Sequence, residues 1–205
     1  MATDQSRKQL GHIFVTGVIL AGGLGRRMGG VDKGLQPFRG RAMVEWVIER
    51  LAPQVDEVLI NANQNLDRYR CFGYRVVADE VGGFAGPLAG LHCGMKEARN
   101  PLVLIVPCDS PFLPLDLAPR LRAALLDGKH DVAVARTGDQ PHPVFCLARR
   151  ELLAHLEAFL RGGGRKIDAW YATARATEVP FDDEADAFRN INTREELRAA
   201  ESGQG

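Results

Sequence analysis

Short runs of hydrophobic residues alternate along the chain with segments in which hydrophobic residues recur at helical spacing. The runs predict strands over residues 13–20, 55–61, 74–79, 102–106, 131–135 and 144–147. The helical spacing predicts helices over residues 42–51, 88–98, 116–126 and 149–160. Residues 102–106 carry only hydrocarbon side chains, which is typical of a central parallel strand covered on both faces. The alternation predicts an α/β fold, a single three-layer domain with a mostly parallel central sheet.

The two ends of the chain have a different character. Residues 1–12 are mostly polar and predict a disordered N-terminal tail, so that residues 13–201 are expected to form the domain. Near the C-terminal end of the domain, Thr193 and Glu196 have the spacing of a capping box, which predicts one more short helix. No signal-peptide core is visible, and no apolar run approaches the roughly 20 residues of a membrane span. We therefore expect a cytoplasmic protein.

The charge balance excludes some classes of partner. Lys+Arg and Asp+Glu each total 26, so the formal net charge is +0. A neutral chain is not expected to bind nucleic acid or a membrane through its overall charge, so any anionic ligand must meet a local site. The cysteines form neither a CxxC pair nor a zinc-ligand spacing, which predicts reduced thiols at Cys71, Cys93, Cys108 and Cys146.

The glycine-rich segment after the first predicted strand carries the strongest chemical signal. It reads Leu-Ala-Gly-Gly-Leu-Gly-Arg-Arg-Met-Gly-Gly-Val-Asp-Lys over residues 20–33. Glycines let backbone N–H groups converge on a phosphate, and Arg26, Arg27 and Lys33 add positive charge. A tight turn alone would need only the glycines, so the combination favours phosphate binding. It is not a P-loop, because Lys33 precedes Gly34, and it lacks the GxGxxG spacing of a dinucleotide turn.

A carboxylate follows the most apolar predicted strand, at the edge of the sheet where open α/β sheets bind ligands. It belongs to Asp109, in a turn stiffened by Pro107 and Pro111. A carboxylate there is costly unless a cation meets it, and Mg²⁺ commonly binds one or two carboxylates together with phosphate oxygens. From its spacing alone, Asp109 is equally suited to capping the next helix or to bonding loop amides.

The loop pattern L-A-G-G-x-x-x-R-M-G-x-x-x-K resembles the signature of the nucleotidyltransferases that activate sugars, isoprenoid precursors and the molybdenum cofactor. The chain is most similar to the molybdenum cofactor guanylyltransferase family, because further segments follow in that family's order. They are residues 61–63, 79, 86–90, 107–111, 142–143 and 188–193. The resemblance covers residues 18–197 and implies a Rossmann-like nucleotidyltransferase fold.

The resemblance also implies roles for individual residues. The implied GTP contacts are Leu20, Ala21, Gly22, Lys33, Asn61, Asp79 and Asp109. The implied catalytic residues are Arg27, Lys33 and Asp109, with Asp109 as the ligand of a Mg²⁺ cofactor. The resemblance places His142, Asn190 and Asn192 on the pterin side. Arg165 and Lys166 are candidates for the same side because their positive charge suits an anionic pterin substrate. Without the resemblance, asparagine and aspartate at strand ends are equally typical of turns. Basic residues after three glycines are equally typical of a loop exposed to solvent.

The reaction implied by the resemblance is transfer of GMP from GTP to molybdopterin carrying molybdenum, with release of pyrophosphate. Molybdenum-insertion proteins and molybdoenzyme chaperones are the further partners implied. A cytidylyltransferase of the molybdenum cofactor or a sugar-phosphate nucleotidyltransferase remains an alternative, although Gly22 stands where the cytidylyl relatives tend to have alanine. A non-catalytic cofactor carrier remains the alternative from another class, whereas a dehydrogenase is disfavoured by the glycine spacing.

Overall fold

The structure is a computed structural model that describes residues 13–23, 31–79 and 86–202 of the 205-residue chain. The tail predicted over residues 1–12 lies outside these residues. Across the described residues, one seven-stranded sheet carries helices on both faces, and a separate two-stranded hairpin completes the strands. This architecture confirms the predicted α/β fold with a mostly parallel central sheet.

The secondary-structure elements follow one another with short connections. The strands are β1 (Val15–Leu20), β2 (Pro37–Phe38), β3 (Arg41–Ala42), β4 (Glu57–Asn61), β5 (Arg75–Val77), β6 (Leu102–Pro107), β7 (Val132–Thr137), β8 (Gln140–Arg149) and β9 (Ala176–Pro180). The α-helices are α1 (Met43–Leu51), α2 (Leu66–Arg70), α3 (Pro87–Glu97), α4 (Leu117–Asp127), α5 (Leu153–Arg161), α6 (Ile167–Tyr171) and α7 (Arg194–Glu201). Short 3₁₀ segments cover Lys33–Leu35, Ala52–Gln54, Arg150–Leu152 and Asp182–Phe188. None of the helices among the described residues has the length and apolar character needed to span a membrane.

The strand order reverses near the middle of the sheet. The order is β5-β4-β1-β6-β8-β7-β9. Strand β8 is antiparallel to both of its neighbours, and the other six strands are parallel to one another. The chain adds β4 and β5 on one side of β1 and then crosses to add β6 on the other. In open α/β sheets, ligands bind beyond the carboxyl ends of the strands where the order reverses in this way.

Two apolar layers, one on each face of the sheet, form the core. On β6, Leu102 and Leu104 belong to the layer that also contains the buried residues of α4 and those of α1 other than Met43. Val103 and Ile105 belong to the opposite layer, with those of α3 and α5. Because β6 is covered on both faces, its sequence is apolar at every position instead of alternating.

Helix α3 packs closely on β1 because two of its residues are glycines that face the strand. A Cβ atom at Gly94 would lie 2.8 Å from Cγ2 of Val18. A Cβ atom at Gly90 would lie 2.5 Å from Cδ2 of Leu20 and 2.8 Å from Oδ1 of Asn61. The absence of side chains at these positions therefore brings the first turns of α3 to the carboxyl ends of β1 and β4.

The predicted elements are present with ends shifted by a few residues, apart from one strand. The strand predicted over residues 144–147 is the longer β8, which runs through Pro141 and Pro143. Near Pro141 and Pro143, β8 pairs only with β7 among the described residues, because its pairing with β6 begins at Cys146. The other backbone edge of β8 makes no ladder bonds there, so proline is tolerated. Helices α2 and α6 and the strands β2, β3 and β9 were not predicted. A helix of 5 residues spans little more than one turn, β2 and β3 have 2 residues each, and in β9 two successive polar residues, Thr177 and Glu178, interrupt the alternation.

Replacing Leu104 by alanine is expected to lower the free energy of unfolding by about 2–5 kcal/mol, because truncating a fully buried leucine leaves a cavity. The matched control is Leu115→Ala, at a residue that is 63% exposed, with an expected change below about 0.5 kcal/mol. Urea denaturation followed by circular dichroism measures both variants. Equal losses would contradict the place of β6 in the core.

Candidate active site

The candidate site lies at the carboxyl ends of β1, β4 and β6. Directly after β1, the N–H of Ala21 donates to the carbonyl of Asn61 at 2.7 Å. After β6, the N–H of Cys108 donates to the carbonyl of Leu20 at 3.1 Å. These bonds join the start of the glycine turn to both neighbouring strands. A Cβ atom at Gly23 would meet none of the described residues within 4 Å.

The side chain of Lys33 crosses from the glycine-rich segment to the end of β6. Its Nζ lies 3.0 Å from Oδ2 of Asp109 and donates to Oδ1 of Asn192 at 2.6 Å. The side chains of Lys33 and Asp109 are only 22% and 10% exposed. A charge pair removed from water to this degree is held firmly, because either charge would be costly alone. The contact brings together three residues that the sequence analysis assigned to one site.

The carboxylate of Asp109 suits a magnesium ion. One of its oxygens binds Lys33, and the other, Oδ1, makes no hydrogen bond within the part of the chain that the structure describes. The same part contains no group of three or more His, Cys, Asp or Glu side chains able to hold a metal. A metal at Asp109 would therefore need phosphate oxygens and water as its other ligands, which is the usual coordination of Mg²⁺ at nucleotides.

The segment that carries Lys33 is anchored by Asp32, a residue that the sequence analysis did not assign to the site. The hydroxyl of Tyr69 donates to Oδ1 of Asp32 at 2.5 Å, and Nδ2 of Asn65 donates to Oδ2 at 3.0 Å. Burial raises the pKa of the Tyr69 hydroxyl well above its ordinary value, so this group stays a donor. A Cβ atom at Gly34 would lie 2.6 Å from the same hydroxyl, so the anchor requires glycine there.

The thiol next to Asp109 is not a nucleophile. Cys108 is buried, and burial together with the neighbouring carboxylate of Asp109 raises the pKa of its thiol well above the usual value. The thiol therefore stays protonated at neutral pH, whereas a nucleophilic cysteine needs a depressed pKa. The site accordingly offers charge and hydrogen bonds, without a covalent catalyst at this position.

Two asparagines hold the carboxylate of Asp79. Nδ2 of Asn61 donates to Oδ1 at 2.9 Å, and Nδ2 of Asn63 donates to Oδ2 at 2.8 Å. The N–H of Asp79 donates back to Oδ1 of Asn63 at 2.9 Å. Asn61 itself is 2% exposed and lies beneath the glycine turn. Asn63 lies in one of the segments that match the family's pattern, but it was not among the predicted GTP contacts.

The two later asparagines, Asn190 and Asn192, return to the Asp109 turn from the end of the chain. The hydroxyl of Ser110 donates to Oδ1 of Asn190 at 2.5 Å, and the N–H of Ile191 donates to the carbonyl of Asp109 at 2.9 Å. Helix α7 fixes the end of this segment. Its predicted capping box is present, since the N–H of Thr193 donates to Oε2 of Glu196 and the N–H of Glu196 donates to the Thr193 hydroxyl, both at 3.0 Å.

His142 contacts Phe188, which stands two residues before Asn190 in the chain. The two rings stack with centroids 4.5 Å apart and planes at 10°. Nε2 of His142 lies 2.7 Å from the hydroxyl oxygen of Thr137. Burial lowers the pKa of His142, so the ring is neutral at pH 7. Its partners among the described residues are thus the rings of Phe188 and Phe145 and the hydroxyl of Thr137, none of which belongs to the Lys33–Asp109–Asn192 group.

Arg165 and Lys166 are exposed and precede α6. The guanidinium of Arg165 donates to the carbonyls of Leu160 and Gly164, at 2.9 and 2.6 Å. A cavity of about 370 Å³ lies between α6 and strands β7–β9, and its wall includes Pro141, Pro143, Asp168 and Tyr171. None of the predicted nucleotide-side residues lines that cavity.

The structure therefore divides the predicted site residues into three sets. It brings together Leu20, Ala21, Gly22, Lys33, Asn61, Asp79, Asp109, Asn190 and Asn192. His142 adjoins this group through Phe188, whereas Arg165 and Lys166 stand at the start of α6. Arg26 and Arg27 lie outside the described residues.

Comparison with known proteins identifies the family of the chain. The family model described as MobA-like NTP transferase domain matches residues 17–176. A molybdenum cofactor guanylyltransferase from Cupriavidus pinatubonensis is 50% identical over 194 residues, which cover 92% of this chain and 97% of that protein. One from Ralstonia nicotianae is 52% identical over 193 residues, covering 90% of this chain and 94% of that protein.

A solved structure shows the same fold. The crystal structure of molybdopterin-guanine dinucleotide biosynthesis protein A from Archaeoglobus fulgidus superimposes with a TM-score of 0.76 at 23% identity. The match covers 91% of this chain and 97% of that chain. The family predicted from the loop pattern is thereby confirmed: the chain belongs to the molybdenum cofactor guanylyltransferase family and is a nucleotidyltransferase with a MobA-like NTP transferase domain.

Proposed function

We propose that this protein transfers GMP from GTP to the phosphate of molybdopterin carrying molybdenum, forming the guanine dinucleotide cofactor and releasing pyrophosphate. One observation carries the proposal: Nζ of Lys33 binds both Asp109, on the nucleotide side, and Asn192, on the side assigned to the acceptor. A single cation thus stands between the two proposed substrates. The names of the curated relatives, molybdenum cofactor guanylyltransferase, support this pair of substrates.

The triphosphate is expected to lie over the glycine turn after β1. Gly23 is exposed and adds no side chain there, and Lys33 supplies a positive charge held in place by two partners. Arg27 belongs to the same turn in the sequence and is proposed as a second cation. Phosphoryl transfer depends mainly on positioning and on stabilising negative charge, which these groups supply.

The proposed chemical step is a displacement at the α-phosphorus of GTP. An oxygen of the molybdopterin phosphate forms a bond to this phosphorus, the bond to the bridging oxygen of the β-phosphate breaks, and its electron pair leaves with pyrophosphate. The attacking phosphate is already ionised at neutral pH, so no general base is needed. Lys33 faces the charge that develops on the transferred group and on the leaving group.

Asp109 is proposed as the ligand of Mg²⁺. The fit rests on its free Oδ1 and on its place at the end of β6, beside Lys33. When bound, Mg²⁺ screens the negative charge of the triphosphate and of the departing pyrophosphate. The protein's own part is to hold one carboxylate rigidly at this point, through the bonds of Cys108 and Ile191 to the neighbouring backbone.

The acceptor side is proposed to extend from Asn190 and Asn192 towards His142. A neutral histidine stacked on Phe188 offers an aromatic surface and a hydrogen-bonding nitrogen, which suit a pterin ring. Arg165 and Lys166 are proposed to meet anionic groups of the same substrate. A cytoplasmic location, and contacts with molybdenum-insertion proteins and molybdoenzyme chaperones, belong to the same proposal.

The decisive experiment compares pyrophosphate release with GTP and with CTP, in the presence of molybdopterin and Mg²⁺. The proposal requires release with GTP and a much lower rate with CTP. Preference for CTP would identify a cytidylyltransferase of the same fold. Binding of nucleotide and cofactor without any pyrophosphate would identify a carrier.

Asp109→Asn is expected to lower kcat/KM for GTP by about 100-fold or more, because the carboxamide keeps the shape of the side chain but loses the charge that binds Mg²⁺. The thermal unfolding midpoint is expected to fall, because the largely buried charge of Lys33 loses its ionic partner, but the circular dichroism spectrum should remain that of a folded protein. The control is Asp127→Asn, which removes an exposed carboxylate at the end of α4 and should leave turnover unchanged. Undiminished activity in Asp109→Asn would remove the metal assignment.

Lys33→Met is expected to lower kcat/KM for GTP by roughly 100-fold, since an aliphatic side chain of similar length cannot stabilise the charge of the phosphates. Lys129→Asn removes a lysine from an exposed position with φ +52°, a conformation that asparagine tolerates, and should be without effect. Steady-state pyrophosphate release measures both. A role for Lys33 in the reaction is refuted if the two variants behave alike.

A further inference from the structure

The pair formed by Asp79 and Asn63 is held more rigidly than a turn requires. Three hydrogen bonds converge on Asp79: two from the amide groups of Asn61 and Asn63 to its two carboxylate oxygens, and one from its own N–H to Asn63. Asp79 and Asn63 thus share a ring closed by two bonds. This ring, which we call the Asn63–Asp79 clasp, fixes the plane of the carboxylate.

The clasp is tied to the glycine turn that is proposed to bind the triphosphate. A Cβ atom at Gly22 would lie 2.7 Å from Nδ2 of Asn63, and one at Gly90 would lie 2.8 Å from Oδ1 of Asn61. Asn61 is buried, and its Nδ2 also donates to the carbonyl of Val77 at 3.4 Å. Both amide groups are therefore packed against glycines, and the carboxylate keeps a constant position relative to the turn.

The hydrogen-bonding capacity left on Asp79 determines what it recognises. An ionised carboxylate only accepts hydrogen bonds, and each oxygen has two lone pairs. Among the described residues, only the two asparagines donate to this carboxylate, one to each oxygen, which leaves two adjacent acceptors and no donor. Guanine presents two adjacent donors, N1–H and the 2-amino group. The corresponding edges of adenine and cytosine combine a donor with an acceptor, and uracil presents one donor between two acceptors.

We propose that Asn63 determines base specificity: it positions the carboxylate of Asp79 to accept two hydrogen bonds from N1–H and the 2-amino group of guanine. This inference rests on the proposed function, because it places the base of GTP beside the glycine turn. Asp79 touches the base, and Asn63 acts through Asp79 as a positioning residue. Adenine, cytosine or uracil would place an acceptor atom opposite the carboxylate and leave it without a hydrogen bond. Polar sites discriminate most strongly against ligands that leave a buried polar group unpaired in this way.

The inference is tested by exchanging the two side chains of the clasp. In Asp79→Asn the new amide offers one donor to the C2 carbonyl of xanthine and one acceptor to its N1–H. In this single variant, however, the NH₂ group of residue 79 faces the NH₂ group of Asn63, and two donors cannot bond to each other. Adding Asn63→Asp restores an acceptor for that group and for the N–H of residue 79. The double variant N63D/D79N therefore keeps the clasp with inverted polarity.

Binding of GTP, ITP and XTP with Mg²⁺ is measured by isothermal titration calorimetry, without acceptor. The wild type is expected to bind GTP at least about 100-fold more tightly than XTP, and ITP about 10- to 100-fold more weakly than GTP, because ITP lacks the 2-amino group. The double variant is expected to prefer XTP over GTP. Each single variant is expected to bind GTP about 10-fold or more weakly than the wild type.

Asn63→Ala separates positioning from a merely structural role. It should raise the GTP dissociation constant and narrow the ratio of GTP to ITP affinity, while kcat at saturating GTP changes little. The control is Gln64→Ala, which removes the neighbouring exposed carboxamide and should leave the ratio unchanged.

Two results would overturn the inference. One is an equal loss of GTP, ITP and XTP affinity in the double variant, with no gain for XTP. The other is a loss in Asp79→Asn that disappears when 2′-deoxy-GTP replaces GTP, which would place the carboxylate at the ribose. Because these measurements need no acceptor, failure of the proposed transfer to molybdopterin is detected separately, as absence of pyrophosphate release by the wild type.

Discussion

The ion pair between Lys33 and Asp109 joins two segments that lie 76 residues apart in the chain, and the rest of the site is arranged around it. Both charges are largely removed from water, so each depends on the other and on the ligands that replace water. The pair forms because the sheet order places β1 next to β6, so that the segments following these strands meet at one edge. A different strand order with the same elements would separate the two charges.

Around this pair, polar side chains are held in place by hydrogen bonds from other protein groups. Tyr69 and Asn65 hold Asp32, the residue before Lys33, and Ser110 holds Asn190, the residue two places before Asn192. Such supports keep charges and dipoles in place before the substrates arrive. For phosphoryl transfer this matters, because electrostatic stabilisation is strongest when the groups need no reorganisation during the reaction.

The proposed acceptor side is formed by residues from the last third of the chain. The segment before α7 docks on the Asp109 turn through backbone and side-chain bonds, and the capping box of α7 fixes its far end. Phe188, two residues before Asn190, carries the stacked ring of His142 from β8. The hydrogen bonds of Lys33 to Asp109 and Asn192 therefore connect the proposed nucleotide and acceptor sides.

Much of the fold could be predicted from the sequence, because burial of β6 on both faces requires an unbroken apolar run and amphipathic helices require helical spacing. The short elements α2, α6 and β9 escaped prediction, since their few residues carry little periodicity and depend on tertiary packing. The length of β8 was also missed, because proline reads as a strand breaker unless one backbone edge is known to be free.

In the site, the sequence by itself determined which chemical groups are present: a glycine turn with cations, and Asp109 after an apolar strand. It did not reveal Tyr69 as the anchor of Asp32, nor the bonds that tie Asn63 to Asp79 and Asn192 to Lys33. Only the tertiary structure decided these pairings. A hydrogen bond acts over about 3 Å, and residues far apart in the chain come within that distance only after the sheet has ordered its strands.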